Sequence, residues 1–159
     1  MHRKLLVQAF GLGHRLTEVP DLRVFADGVA LAAESPSSDW LRFEIPAGAR
    51  RLRLCSRSFV PATIDSASTD MRRLGVAVQL QLDGSPLRPE AFAAGWHPPE
   101  GDVSWRWTDG DAALLLPRRS EPASLALRLM DGRARYWLPP PRGSRQGRSL
   151  AIPCEDSAA

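Results

Sequence analysis

Cysteine is scarce in this chain, since Cys55 and Cys154 are the only two among its 159 residues. Two cysteines without histidines at ligand spacing do not make a zinc site. Cys55 sits in an alternating apolar segment where any small hydrophobic residue serves equally well. We therefore expect two free thiols and no structural metal or other cofactor.

Long apolar runs are also missing, because no stretch approaches the roughly 18 consecutive apolar residues of a membrane helix. The start of the chain resembles a secretory signal, with Arg3-Lys4 before Leu5-Leu6-Val7. Its apolar run ends at Gln8 and no small-residue cleavage site follows in the right place. The sequence thus predicts no membrane span and a cytoplasmic location.

Lysine is almost absent: Lys4 is the only lysine among the 21 lysine and arginine residues. The net charge is +3. Arginine binds phosphate bidentately, but a nucleic-acid site needs basic residues gathered on one face. The arginines at 50, 51, 53 and 57 alternate with Leu52 and Leu54, as on the solvent face of a strand. We expect no specific nucleic-acid partner.

What the chain does contain is the composition of one ordinary globular domain, with 43% hydrophobic and 25% charged residues. Leu5, Ala9, Leu12 and Leu16 recur at helical spacing and predict a helix over about residues 2–15. Residues 139–159 are rich in Pro, Gly and Arg, which predicts a poorly ordered tail. Residues 1–138 then form the domain, and Leu150 and Ile152 are candidates for an edge strand.

Between the helix and the tail, apolar residues alternate in short segments that end at turn residues. Asp27-Gly28 and Asp83-Gly84 are pairs typical of tight hairpin turns. Pro46 ends a strand in which Leu41, Phe43 and Ile45 lie on the face opposite Arg42 and Glu44. Further strands are predicted at residues 22–26, 29–33, 51–57, 76–82, 105–107, 112–116 and 125–129. This spacing predicts a mainly β fold, an antiparallel, jelly-roll-like β-sandwich preceded by a short N-terminal α-helix.

The most distinctive segment runs from Gly95 to Asp111 and holds three of the five tryptophans. One interpretation is a carbohydrate site, because aromatic faces stack on sugar C–H faces while charged side chains bind hydroxyls. Trp96, in a Gly- and Pro-rich loop, is then the exposed aromatic. The candidate ligand-binding residues are Trp96, His97, Glu100, Arg106 and Asp109.

The alternative interpretation is structural. Trp105 and Trp107, two residues apart on a strand, share one face and fill the sandwich core, while Glu100 and Arg106 form an ion pair at its rim. His97 either acts as a general base beside an acidic residue or bonds a neighbouring carbonyl. Asp109-Gly110-Asp111 is a turn, since the six or more oxygens of a calcium loop are lacking.

Several motifs occur together in the order of a known family. The chain resembles the region downstream of the Hint module in bacterial Hedgehog/intein-domain proteins, through residues 12–17, 56–62, 70–77, 95–97 and 105–112. A looser similarity, over about residues 75–130, links it to β-sandwich domains that accompany bacterial glycosyltransferases. The first resemblance implies an accessory domain without the Hint module and without its catalytic residues.

These observations favour a non-catalytic accessory domain that binds a protein or a glycan, and they identify no catalytic residue. The exposed strand face with Arg51 and Arg53 is the candidate surface for a protein partner. The rival enzyme hypothesis is residual Hint-type self-processing that depends on Cys55. The oligomeric state does not follow from the sequence.

Overall fold

Most of the strands lie where the sequence alternates apolar and polar residues. In the computed structural model, residues 2–34, 39–130 and 134–141 are described. Within them the elements are α1 (His2–Gly11), β1 (Arg15–Thr17), β2 (Arg23–Ala26), β3 (Val29–Leu31), β4 (Trp40–Ile45), β5 (Arg51–Cys55), α2 (Pro61–Ile64), β6 (Ala77–Leu82), β7 (Ser85–Pro86), a 3-10 turn (Pro89–Ala91), β8 (Trp105–Trp107), β9 (Asp111–Leu115), β10 (Ala123–Leu129) and β11 (Tyr136–Leu138).

Both predicted Asp-Gly hairpin turns are confirmed. Asp27 and Gly28 join β2 to β3 with φ angles of 45° and 85°, and Asp83 and Gly84 join β6 to β7 with φ angles of 48° and 79°. Positive φ at both central positions gives a turn whose twist matches that of the flanking strands. Aspartate and glycine tolerate this conformation, which allows Ala26 to pair with Val29 and Leu82 with Ser85 across two-residue turns.

Two antiparallel sheets form the body of the fold. Sheet I has the strand order β3-β2-β5-β9, and sheet II has the order β4-β10-β6-β7 with β8 also paired to β6. Their inner faces pack into one core, to which sheet I contributes Leu52 and Leu114 and sheet II contributes Leu125 and Leu127, all four fully buried. Each such leucine stabilises the fold by about 1.5–3 kcal/mol relative to an exposed one. The predicted antiparallel β-sandwich is confirmed.

A second, smaller core covers one half of the outer face of sheet II. It contains Leu74, Trp107 and Tyr136, with Phe59 packed edge-on against both aromatic rings. The Tyr136 hydroxyl donates a hydrogen bond of 2.9 Å to the carbonyl of Gly75. Trp105 and Trp107 do share one face, as predicted, but that face is the outer one. The expectation that they fill the sandwich core is therefore wrong.

The N-terminal helix is shorter than predicted and ends at Gly11 instead of residue 15. Gly13 has a φ of 84°, and Arg15 already belongs to β1, which pairs with β11 in a two-stranded sheet. With ten residues, α1 is the longest helix of the described ranges, and none there has the length and apolarity to cross a bilayer. Residues 139–141 have no regular structure, and the candidate edge strand at Leu150 and Ile152 lies outside the described residues.

Candidate functional site

The first half of the distinctive segment connects the two sheets. Residues 92–97, which we name the linking segment, lie between β9 of sheet I and β8 of sheet II. Phe92 forms a bridge with Leu114 of β9, and Trp96 forms one with Thr108, directly after β8. The backbone hydrogen bonds from Ala93 N to Ala113 O, from Ala113 N to Ala94 O, from His97 N to Trp107 O and from Asp109 N to Gly95 O are 2.9–3.0 Å long.

Glycine is required in this segment because backbones approach closely there. Gly95 has a φ of 83°, and a Cβ at this position would lie 2.1 Å from the carbonyl oxygen of Asp111. Gly75, two residues before β6, also lies close to the residues after β8. A Cβ at this position would lie 2.4 Å from the Thr108 hydroxyl. Much of the motif that suggests a ligand site thus builds the junction between the sheets.

Trp96 is half-buried and packs against the sandwich core. Its indole Nε1 donates a hydrogen bond of 2.8 Å to the carbonyl of Ala113. The ring of Phe92 meets the indole nearly at right angles, with centroids 5.0 Å apart. Trp96 is therefore held in the junction by packing and by a hydrogen bond, and its indole is half-buried, where the sequence predicts an exposed ring.

Arg106 lies on the face opposite Trp105 and Trp107, as expected from the strand alternation. Its guanidinium carbon is 4.2 Å from the centroid of the Phe92 ring, in a cation–π contact. Arg106 and Trp96 therefore both contact the ring of one phenylalanine. The predicted ion pair between Arg106 and Glu100 is wrong.

Glu100 instead belongs to an ion-pair network outside the junction. Arg72 donates hydrogen bonds of 2.8 Å to Glu100 and of 2.7 Å to Asp70. These hydrogen bonds from the guanidinium lower the pKa of Asp70 and raise that of Arg72. Because Glu100 and Arg72 are 28 positions apart, no local pattern could identify the pair.

His97 and Asp109 are both engaged in backbone contacts. The His97 Nε2 is 2.8 Å from the carbonyl oxygen of Arg73. A carbonyl only accepts hydrogen bonds, so Nε2 carries the proton in this contact. Asp109 accepts a hydrogen bond of 2.9 Å from the backbone N–H of Asp111, which forms the expected turn. The sequence-predicted site residues thus do not form one site: Trp96 and Arg106 both contact Phe92, while His97, Asp109 and Glu100 each bond a different partner.

The remaining chemically reactive groups are also constrained. Cys55 is buried, and its sulfur lies 3.8 Å from a carboxylate oxygen of Asp111. Across the described ranges, no group of three or more His, Cys, Asp or Glu side chains is placed to hold a metal ion.

The arginine face of sheet I is only partly available to a partner. Arg53 forms a bidentate pair with Asp111, with distances of 2.7 and 2.8 Å, and this pair lowers the pKa of Asp111. Arg51 is exposed on the same face beside Leu115, which is 50% exposed.

The other half of the outer face of sheet II carries a row of polar and aromatic side chains that sequence reasoning missed. Trp40 of β4, Arg128 of β10, Gln79 of β6 and Trp105 of β8 are successive cross-strand partners. Their inward neighbours are in the core, so all four lie on the outer face. All four are half-buried. We name this set the cross-strand row.

The cross-strand row is invisible in the sequence because its members come from four strands that are distant along the chain. Only the registers of β4, β10, β6 and β8 bring them together. Ala126 lies beside the row, with Arg42 and Gln81 as its partners. A small residue between polar neighbours leaves this part of the face flat.

Comparison of the chain with protein-family models, with curated proteins and with solved structures gives no match.

Proposed function

We propose that the protein is a non-catalytic binding domain that holds a glycan on the cross-strand row. The observation that supports this is the row itself, in which an indole at each end encloses a guanidinium and an amide. Aromatic faces stack on the C–H faces of sugar rings, and planar amides and guanidiniums bind pairs of hydroxyls.

The length and charge of the row fit a neutral oligosaccharide. Adjacent strands are about 4.8 Å apart, so the three strand steps from Trp40 to Trp105 span roughly 14 Å. One sugar ring cannot contact both indoles, whereas an extended chain can. The charge of Arg128 is offset by Asp39, whose carboxylate is 3.6 Å away. Binding should be weak, because the contacts of half-exposed groups contribute little free energy beyond the cost of ordering a flexible sugar.

The engagement of the candidate acid–base groups supports a non-catalytic role. The His97 imidazole donates to a backbone carbonyl, Glu100 is bonded to Arg72, and Asp109 accepts from a backbone N–H. Cys55 is 1% exposed, which leaves no access for a scissile bond. A catalytic site needs a nucleophile and a base within hydrogen-bond reach of each other and of a substrate.

The resemblances to the Hint-associated region and to glycosyltransferase-associated domains stay predictions, as does the cytoplasmic location. Both resemblances are compatible with an accessory binding role. The first implies an accessory domain detached from the Hint module, and the second favours a glycan as the ligand.

A glycan array followed by titration calorimetry tests the proposal. We expect an oligosaccharide to bind, and we expect Gln79→Ala to weaken binding about tenfold through the loss of two hydrogen bonds. Trp105→Ala should weaken it further, while Gln8→Ala, which removes the same amide from α1, should have no effect. The proposal is wrong if no glycan binds, or if both row variants bind as well as wild type while remaining folded.

A protein partner on the outer face of sheet I is the second candidate, favoured by the exposed Leu115 beside Arg51. Arg51→Glu should then abolish capture of that partner, whereas Arg88→Glu, an exposed arginine elsewhere, should leave it unchanged. Equal recovery by both variants excludes this surface.

A further inference from the structure

A hollow opens beside the second core, on the half of sheet II that the cross-strand row does not occupy. Its volume is about 210 Å³, and the residues that line it include Phe59, Ile64, Asp65, Leu74, Trp107 and Arg135. Most of the lining comes from the connection between β5 and β6, which includes α2, while Trp107 belongs to β8. None of these residues belongs to the cross-strand row.

The floor of the hollow is aromatic and apolar. The Phe59 and Trp107 rings meet edge to face, with centroids 6.0 Å apart, and Leu74 is buried beneath them. A cavity of about 150 Å³ with apolar walls holds a benzene molecule. The hollow therefore has the volume to take one aromatic ring and its attached methylene group.

The rim carries one charge of each sign. Asp65 and Arg135 both line the hollow and are exposed, and among the described residues no ion pair joins them to each other or to a third side chain. The Asp65 carboxylate is held in place by a hydrogen bond of 2.9 Å from the backbone N–H of Ala67. Its second oxygen and the Arg135 guanidinium are left to meet a ligand.

We propose that this hollow binds a free aromatic amino acid as its zwitterion. The ring enters the apolar floor, the ammonium group contacts Asp65, and the carboxylate contacts Arg135. A ligand with only one of the two charges forms one contact and leaves the other rim charge without a counterpart. A ligand with both charges and no ring leaves the floor empty. The site uses residues separate from the cross-strand row, so either proposal can fail without the other.

Chemical-shift titration of the isotope-labelled protein tests this with four probes. L-Phenylalanine should give saturable shifts at the residues that line the hollow. L-Phenylalaninamide, which lacks the carboxylate, and 3-phenylpropionate, which lacks the ammonium group, should each bind about fivefold more weakly. L-Alanine, which lacks the ring, should give no saturable shift.

Variants assign each contact to its residue. Arg135→Gln should weaken L-phenylalanine about fivefold and leave L-phenylalaninamide unchanged, while Asp65→Asn should weaken L-phenylalanine and leave 3-phenylpropionate unchanged. Arg88→Gln and Asp102→Asn remove exposed charges elsewhere and should change nothing. Absence of saturable shifts with L-phenylalanine, shifts outside the hollow, or equal binding by the rim variants and wild type overturns the proposal.

Discussion

Replacing Gly95 with alanine should destabilise the protein far more than the same change at another left-handed glycine. The added Cβ would lie 2.1 Å from the Asp111 carbonyl oxygen and 2.7 Å from the Ala112 Cα, whereas real Cβ atoms keep at least 3.0 Å. The obstacle is backbone on β9, which cannot rotate away as a side chain can. Gly84 is the matched control, since its φ is 79° and nothing lies within 4 Å of a Cβ placed there.

The expected loss follows from two contributions. A left-handed residue with a Cβ costs about 1–2 kcal/mol, and both variants bear this cost. In Gly95→Ala the linking segment must also move away from β9, which disrupts the two backbone hydrogen bonds that join it to Ala113, at about 1 kcal/mol each. A total of about 3–4 kcal/mol is a large part of the 5–15 kcal/mol by which domains are usually stable.

Urea unfolding followed by tryptophan fluorescence measures both variants. With a slope of about 2 kcal/mol per M, the midpoint should fall by about 1.5–2 M for Gly95→Ala and by only about 0.5–1 M for Gly84→Ala. Equal midpoints for the two variants would refute the argument that the linking segment is held against β9 by close backbone contact.

Three further predictions concern single contacts. Thr108→Val removes the hydroxyl that accepts the N–H of Val76 at 3.0 Å, and should lower the free energy of unfolding by about 1–3 kcal/mol; a loss near zero would contradict it. Tyr136→Phe should cost about 1 kcal/mol through the lost bond to a backbone carbonyl, measured in the same assay, and an unchanged midpoint would count against that bond. The pKa of Asp111 is lowered by Arg53, so this pair stabilises the fold above the ordinary carboxyl pKa of 3.8 and stops doing so as the pH falls through the lowered value. Asp111→Asn should therefore be less stable than wild type at neutral pH, by at most about 1 kcal/mol for so exposed a pair, and the difference should vanish in strong acid; a difference independent of pH would refute it.

Most of the sheet framework could be predicted because its signals are local. The alternation from Trp40 to Ile45 gave the bounds of β4, and the Asp-Gly pairs gave both hairpins. Where the conformation depends only on two residues and their neighbours, a single sequence is sufficient to predict it. The short strands β1 and β11 were missed, because three residues carry no clear alternation and their pairing joins opposite ends of the chain.

The candidate site was predicted less well, because strand alternation tells which side chains share a face but not which layer covers that face. Trp105 and Trp107 were correctly assigned to one side of a strand, yet on that side a second core formed by distant residues such as Tyr136 buries Trp107 and leaves Trp105 half-buried at its edge. Glu100 was matched with Arg106 by proximity in sequence, whereas folding brings Arg72 to it. The row of four residues on sheet II depends on three registers and has no local signal at all.

The linking segment also determines where one molecule can associate with another through strand edges. Both β8 and β9 have their outer edges occupied by it, so neither offers a continuous line of open amides to a neighbouring chain. On the opposite side, β4 is bonded to the backbone of Glu34, and β7 is two residues long and contains Pro86. Within the described ranges, this leaves β3 as the open edge of sheets I and II, beside the outer edges of the two-stranded sheet of β1 and β11. Because each of these three strands has only three residues, it offers few hydrogen bonds to a second molecule, and edge-to-edge aggregation should be slow even at high protein concentration.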